Sequence, residues 1–523
     1  MPADDAIGML DAIEAGLDPV RRVRGFEHGD AAAGIDPIQH YLDAGWHEQR
    51  DPSLLFSTRF YMDNNPDVVA AGVNPFFHFI AAGKAEGRHG KHQLGFRWDI
   101  LAKLKPVAEQ IAEMKAHRGQ AMISPAEMLA SALQTGLAGA RKLVVSFSHD
   151  AFTKHVGGVQ LLLRRELQLF RDRGDAHVHL YPEYPLPFID ASGEAISLGM
   201  LVNGKHAGFH RARDIAAALG RARPATLEAN FVIHSLLGHN VDQTADLLDR
   251  CGLREGLLWL HDYSPIYNNF KLLRNDVAYG GFPREGTIAR ELCEFARADF
   301  CHAREFAKLF DRFRVRLVSP SQAALDVWKD AGVLQAASDH VIEHVKLVPE
   351  GASVAPVQAE ARPLRIGFLG YPAVHKGWPV FQELVLNFRD DPRYEFHHLG
   401  SGRVGGLPLQ FHEVSACESR PDAMSEAVAA ADLDVVLLWS IWPETFCLTA
   451  YEAIAAGAFL VANPDSGNVA AAIAKTGQGL TLPSEAALRT AMAAGDLAAH
   501  ARTRRTVSRF RMEYGALSLE LMD

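Results

Sequence analysis

From Lys142 onward, short apolar runs of strand length alternate with amphipathic stretches of helix length. This alternation limits the possible folds more than any other feature of the chain. "KLVVSFS" (142–148) is followed by the glycine turn and amphipathic run "GGVQLLLRRELQLFRDRG", then by "AHVHLYP" (176–182). "FVIHSLL" (231–237), "GLLWLHD" (256–262), "VRLVSPS" (315–321) and "VKLVPEG" (345–351) continue the series. Strands separated by helices pair in parallel through crossovers, not as hairpins. The texture breaks at "VAPVQAEARP" (354–363), which reads as a linker, and resumes with "LRIGFLG", "YEFHHLG", "DVVLLWS" and "AFLVAN". Two such series predict an α/β chain with two doubly wound, Rossmann-like domains facing one another, over 141–355 and 356–500. In sheets of this kind ligands gather beyond the carboxyl ends of the strands.

The first 140 residues read differently. "AAGIDPIQHYLDAGWHEQR" (32–50) returns as "AAGVNPFFHFIAAGKAEGR" (70–88), 38 positions later. Asp36-Pro37 and Asn74-Pro75 each read as an N-cap followed by proline at the first helical position. Gly45 and Gly83 fall where a helix would stop. Residues 1–94 are therefore expected to be a small all-α tandem-repeat module, with 95–140 a helical connector. His40 and His78 occupy equivalent repeat positions, where packing or capping is the expected role, not metal binding. Phe56, Phe60, Tyr61, Phe76, Phe77 and Phe79 have core spacing. The last segment, 501–523, is expected to be a helix crossing back onto the first domain.

Composition excludes some classes of function. With 523 residues the chain exceeds one ordinary core, and 48% hydrophobic with 22% charged residues describes a globular protein. A net charge of −10 argues against nucleic acid as a partner. The five cysteines (251, 293, 301, 417, 447) include no CxxC, which points to a reducing cytoplasm and to neither disulfides nor zinc. The N-terminus lacks a basic n-region and no apolar run reaches membrane-spanning length, so membrane contact is expected to be peripheral at most.

"PETFCLTAYEAIAAG" (443–457) carries two carboxylates eight residues apart. On one helix they would stand roughly 80° apart, a poor pair. Glu444 in the loop after "DVVLLWS", with Glu452 two turns down a helix over 445–456, makes better sense. Both then face the cleft, where a helix N-terminus favours phosphate and the carboxylates accept from hydroxyls. Phosphate with two hydroxyl-bearing rings describes a nucleotide sugar.

This segment resembles the Glu-x7-Glu motif of retaining GT-B glycosyltransferases of the family 4 type, and the likeness runs from about Lys142 to Asn468. The resemblance implies that Glu444 binds the donor sugar and Glu452 the ribose, with Thr445 and Phe446 beside them. "HVGGVQ" (155–160) is similar to the family's glycine turn, where Gly157 and Gly158 admit the donor phosphate. "WLHDY" (259–263) resembles the strand end that sets a histidine, His261, beside the transferred sugar. "LVPEG" (347–351) resembles the segment before the family's linker. "GYPAVHKGW" (370–378) is similar to the diphosphate-clamping Gly-Arg-x4-Lys-Gly loop. Lys376 is in place there, but Tyr371 or Gly370 stands where the arginine would, and Arg403 in "GSGR" is the candidate substitute.

The family implies His261, Glu444 and Lys376 as catalytic residues. It implies an acceptor domain at 141–355, a donor domain at 356–500, retention of anomeric configuration, and no metal or cofactor. A glycan or lipid-linked glycan is the implied acceptor. "LHDYSPIYNNFKLLRNDVAYGGFP" also resembles bacterial polysaccharide rhamnosyltransferases, and the N-terminal repeats resemble modules of bacterial surface-glycan transferases. These point to a cytoplasmic hexosyltransferase acting in surface polysaccharide synthesis at the inner face of the membrane, with residues 1–94 as a site for a protein partner or self-association.

Two other readings stand beside it. One is an inactive GT-B scaffold, supported by the missing arginine; the other is a GT-B-fold sugar-nucleotide epimerase. Two further motifs fail on context. "GSGRVG" (400–405) is followed by proline and not by a helix, and the DxD-like "DLD" (432–434) sits at the wrong end of its strand.

Overall fold

Parallel pairing follows from the alternation. The computed structural model describes residues 37–522 except 53–55, 93, 117–120, 156, 185, 194–195, 351–361, 416–419 and 505–509. Asp36, most of the linker 354–363 and Val156 of the glycine turn lie outside the described residues.

The first sheet has eight strands: β1 (Leu143–Phe147), β2 (Ala176–Pro182), β3 (Ser197–Val202), β4 (Lys205–Arg211), β5 (Ala229–Ile233), β6 (Glu255–Trp259), β7 (Arg314–Ser319) and β8 (Ser338–Val341). Their order is β4-β3-β2-β1-β5-β6-β7-β8. From β2 through β1 to β8 every pairing is parallel. β1 and β2 are buried along their whole length, as central parallel strands are. The β3–β4 hairpin on the β2 edge is an addition to the expected series. It closes through Asn203 and Gly204, both at positive φ (49° and 78°), the conformation that Asn-Gly hairpin turns need.

The next strand, β9 (Val345–Pro349), departs from expectation. It leaves the first sheet and pairs antiparallel with β16 (Phe510–Tyr514). The second sheet contains β10 (Leu364–Leu369), β11 (Tyr394–Gly400), β12 (Gln410–Glu413), β13 (Val435–Leu437), β14 (Phe459–Ala462) and β15 (Gly479–Thr481), in the order β12-β11-β10-β13-β14-β15. The pairings β10–β13, β13–β14 and β14–β15 are parallel. Val436, Leu438, Ala453, Ile454 and Leu460 build its core against the helix Leu448–Ala455. Two Rossmann-like sheets in one chain match the expected fold class.

Three local expectations are corrected. The helix expected over 445–456 begins at Leu448, because the Cys447 amide is taken by Asn468 Oδ1 at 3.1 Å and Thr445 and Phe446 stay in the loop. Residues 510–514 are a strand and not a helix: "FRMEY" alternates apolar and charged residues, the period of a strand. A 3-10 turn, Leu517–Leu521, follows it. "VKLVP" (345–349) belongs to the β9–β16 ribbon. Asp432 and Asp434 of "DLD" are engaged by Arg362 at 2.8 and 2.6 Å, an ion-pair role.

Contacts divide the chain into two compact units. One comprises 1–103 with 379–397 and 402–411; the other holds 104–378, 398–401 and 412–523. In the first unit Tyr41, Phe56, Tyr61, Val68 and Phe76 form an aromatic core. Pro37–His40 and Pro75–His78 each run into a π-helical turn, Tyr41–Gly45 and Phe79–Gly83. Asn74 Oδ1 caps Phe76 and Phe77, and His78 Nδ1 lies 2.9 Å from the Tyr61 hydroxyl, a packing role. No helix among the described residues is long and apolar enough to cross a membrane.

Candidate functional site

Each sheet reverses its strand order once, at β1/β5 and at β10/β13, and it is beyond the strand ends at such switch points that α/β sheets bind ligands. At the β10/β13 switch point a 3-10 turn, Val374–Lys376, follows β10. Gly377 (φ +84°) ends this turn, and a methyl group at that residue would sit 2.1 Å from the Trp439 carbonyl oxygen. Only glycine permits that approach. The Ile441 amide also donates to the His375 carbonyl at 3.0 Å, so the turn is fastened to the chain leaving β13.

This brings Lys376 Nζ to 2.7 and 2.9 Å from the two oxygens of Glu444. The same carboxylate accepts from Ser440 Oγ at 2.5 Å and Trp442 Nε1 at 2.9 Å, and the ammonium lies 5.6 Å from the Trp442 ring centre. Gly467 packs on the Glu444 backbone, and the Asn468 amide donates to the Glu444 carbonyl. Burial opposes the charge on Lys376, but Glu444 outweighs it and holds the amine above its ordinary value. The His375 imidazole is pushed down to about 3 by burial and the neighbouring ammonium. Lys376 keeps 38% of its side chain exposed while Glu444 keeps 1%. The carboxylate is thus covered by protein donors, while the lysine side chain is only partly buried.

The first sheet contributes through the same loop. Thr445 Oγ1 donates to the His261 carbonyl at 2.7 Å, and the Thr445 carbonyl accepts from Ser321 Oγ at 2.7 Å. Gly157 precedes the helix Gly158–Arg173. A methyl on Gly158 would lie 3.8 Å from Leu448, the first residue of the helix carrying Glu452. Phe446 stacks on Tyr451 at 4.5 Å and meets His344 edge-on at 5.0 Å. Glu452 is buried, with its pKa raised to about 7 by burial and by Asp422. His261 stacks on Trp259 at 5.5 Å and is held neutral by burial and by the neighbouring His234 and His344.

Lys376, Glu444, Thr445, Phe446 and His261 thus form one connected set, with Gly158 against the helix that carries Glu452. Arg403, the candidate substitute for the missing arginine, has its guanidinium 6.0 Å from the centre of the Phe411 ring. Asp262 Oδ1 accepts from the Ser264 amide at 2.8 Å.

Several site residues escaped sequence reasoning. Ser440 and Trp442 lie within four positions of Glu444, and their donor groups were the available signal. The Tyr263 hydroxyl is buried without a hydrogen-bond partner and its ring meets Trp442 at 6.2 Å. His234 and Glu166, behind His261, gave no local signal.

No protein-family model matches the chain, and no curated protein matches its sequence. Among solved structures it is similar to sucrose-phosphate synthase from Thermosynechococcus elongatus, at 13% identity over 70% of this chain and 92% of that one, TM-score 0.45. It is similar to HepE from Anabaena in complex with UDP and glucose, at 12% identity over 70% and 93%, TM-score 0.42. The pneumococcal O-GlcNAc transferase GtfA in complex with UDP and GlcNAc follows, at 10% identity over 70% and 94%, TM-score 0.39. At these values the likeness is one of general layout.

Proposed function

We propose that the chain is a retaining, nucleotide-sugar-dependent glycosyltransferase of hexosyltransferase type. In this reading it transfers a sugar to a glycan or lipid-linked glycan during synthesis of a bacterial surface polysaccharide. The observation that carries the reading is the Lys376–Glu444 pair at the β10/β13 switch point, tied through Thr445 to His261 at the end of β6. Lys376 offers its ammonium to the donor diphosphate and stabilises charge as it builds on the leaving group. Glu444 holds that ammonium in place, and donor hydroxyls reach the carboxylate when the lysine turns to phosphate. Glu452 accepts from the ribose, Gly157 and Gly158 admit the phosphates, and His261 contacts the transferred sugar. Nothing in these roles calls for a metal.

The pair also supports a second reading. A lysine already neutralised by glutamate, with Tyr371 or Gly370 where the second clamp cation would be, suits a binding protein that no longer turns over. Incubation with sugar nucleotides and glycan acceptors in EDTA, with proton NMR of the products, separates the readings. Transfer with retained anomeric configuration is expected. Donor interconversion without acceptor would make the chain an epimerase, and donor binding with no turnover would make it a scaffold.

A further inference from the structure

Behind His261 runs a buried chain of polar groups that the site itself does not use. Glu166, on the helix Gly158–Arg173, is 2% exposed. It accepts from the Ser518 amide at 3.0 Å and from the Ser518 hydroxyl. That hydroxyl in turn accepts from Trp259 Nε1 at 2.8 Å. His234, the residue after β5, brings Nε2 to 3.0 Å from Glu166 Oε2 in a bent, ion-pair approach. Its other nitrogen, Nδ1, lies 3.0 Å from His261 Nε2, and the two rings stack at 5.3 Å.

Burial works against a charge on Glu166, yet His234 and Ser518 outweigh it and hold the carboxyl below its ordinary range. A buried carboxylate is costly without a cation, and His234, 3.0 Å away, is the neighbour that can supply one; His177 and His344 also feel this carboxylate, but burial holds both imidazoles down to about 3. A cationic imidazole has two N–H donors. One is spent on Glu166, so the other points to His261 Nε2. The remaining groups acting on His261 are His344, whose ring centre is 5.4 Å away, and His149 beyond β1; neither supplies an anion.

We propose that Glu166 and His234 form a buried ion pair that fixes the tautomer of His261, with Nε2 as acceptor and the proton on Nδ1. Glu166 and His234 are then positioning residues, and Leu517–Leu521 is part of the apparatus. Ser518 completes the carboxylate's shell, while Met522 and Leu521 carbonyls take Lys142 Nζ at 3.1 Å and an Arg316 guanidinium N–H at 2.8 Å. The effect on transfer rests on the glycosyltransferase reading; the tautomer does not. A donor N–H in the wrong place is costly even where geometry survives, as wrong-tautomer variants of catalytic triads show.

The test is two-bond nitrogen–proton correlation NMR on histidine-labelled full-length protein without ligand, with His261→Asn and His234→Asn to assign the rings. Wild type should show His261 protonated on Nδ1 and His234 doubly protonated. Glu166→Gln should strip a proton from His234 and mix the His261 tautomers, and the milder Ser518→Ala should do so in part. A wild-type His261 protonated on Nε2, or a pattern unmoved by Glu166→Gln, overturns the proposal and leaves the function untouched. If transfer is found, Glu166→Gln should lower kcat roughly 10- to 100-fold with donor KM within about twofold. Glu166→Asp should recover most of that loss; an unchanged kcat would count against the proposal.

Discussion

At the end of β10, Lys376 and Glu444 meet at 2.7 Å, the lysine side chain partly exposed and the carboxylate buried. At the first sheet's strand ends, burial and the neighbouring histidines hold His261 neutral, and the Glu166 carboxylate lies one side chain deeper, 3.0 Å from His234. The first arrangement suits an anion that comes and goes. The second suits a group that must present one fixed hydrogen-bonding face. Glu452 gives a third contrast, since its neighbour is the like charge of Asp422 and its proton is held to about pH 7.

The sharpest way to break this comparison is to remove one partner of the Lys376–Glu444 pair. Lys376→Ala leaves Glu444 buried with only Ser440 and Trp442 as side-chain donors, and should cost about 3 kcal/mol in urea unfolding. Lys376→Ala combined with Glu444→Gln should cost less than Lys376→Ala alone. Additive losses would mean that the pair is not coupled.

Glu452 predicts an effect of opposite sign with pH. Its folded pKa of about 7 lies above the ordinary 4.5. The stability it contributes is therefore complete below pH 4.5 and is lost as pH rises to 7, on the order of 3 kcal/mol. Glu452→Gln should flatten this dependence and melt above wild type at pH 8; a parallel pair of melting curves would refute the assignment. Thr445→Val, which leaves the His261 carbonyl without its donor, should cost about 1–2 kcal/mol. A neutral result by thermal melting would mean that this link between the sheets is dispensable.

The reading of the sequence and the structure diverge in instructive places. The parallel strands were legible because buried strands read as continuous apolar runs. The β3–β4 hairpin was legible too, through Asn203-Gly204, but an expectation of helices between strands hid it. "VKLVP" is apolar enough to read as a further strand of the first sheet, yet β9 pairs with β16, more than 160 positions away. Glu444 and Lys376 stood out through their motifs, though not their direct pairing. Glu166 meets Ser518 across 352 positions, which no local pattern records.

The central claim is that Lys376 marks a donor diphosphate site, and metal-free calorimetric titration tests it most directly. UDP, GDP, ADP, dTDP and their sugars would be titrated into wild type and into Lys376→Ala shown to be folded. The account predicts selective binding of one base that Lys376→Ala abolishes or weakens at least about tenfold, the loss of one charge-assisted contact. Binding of equal strength in both proteins, or no binding of any nucleotide to the wild type, would contradict it.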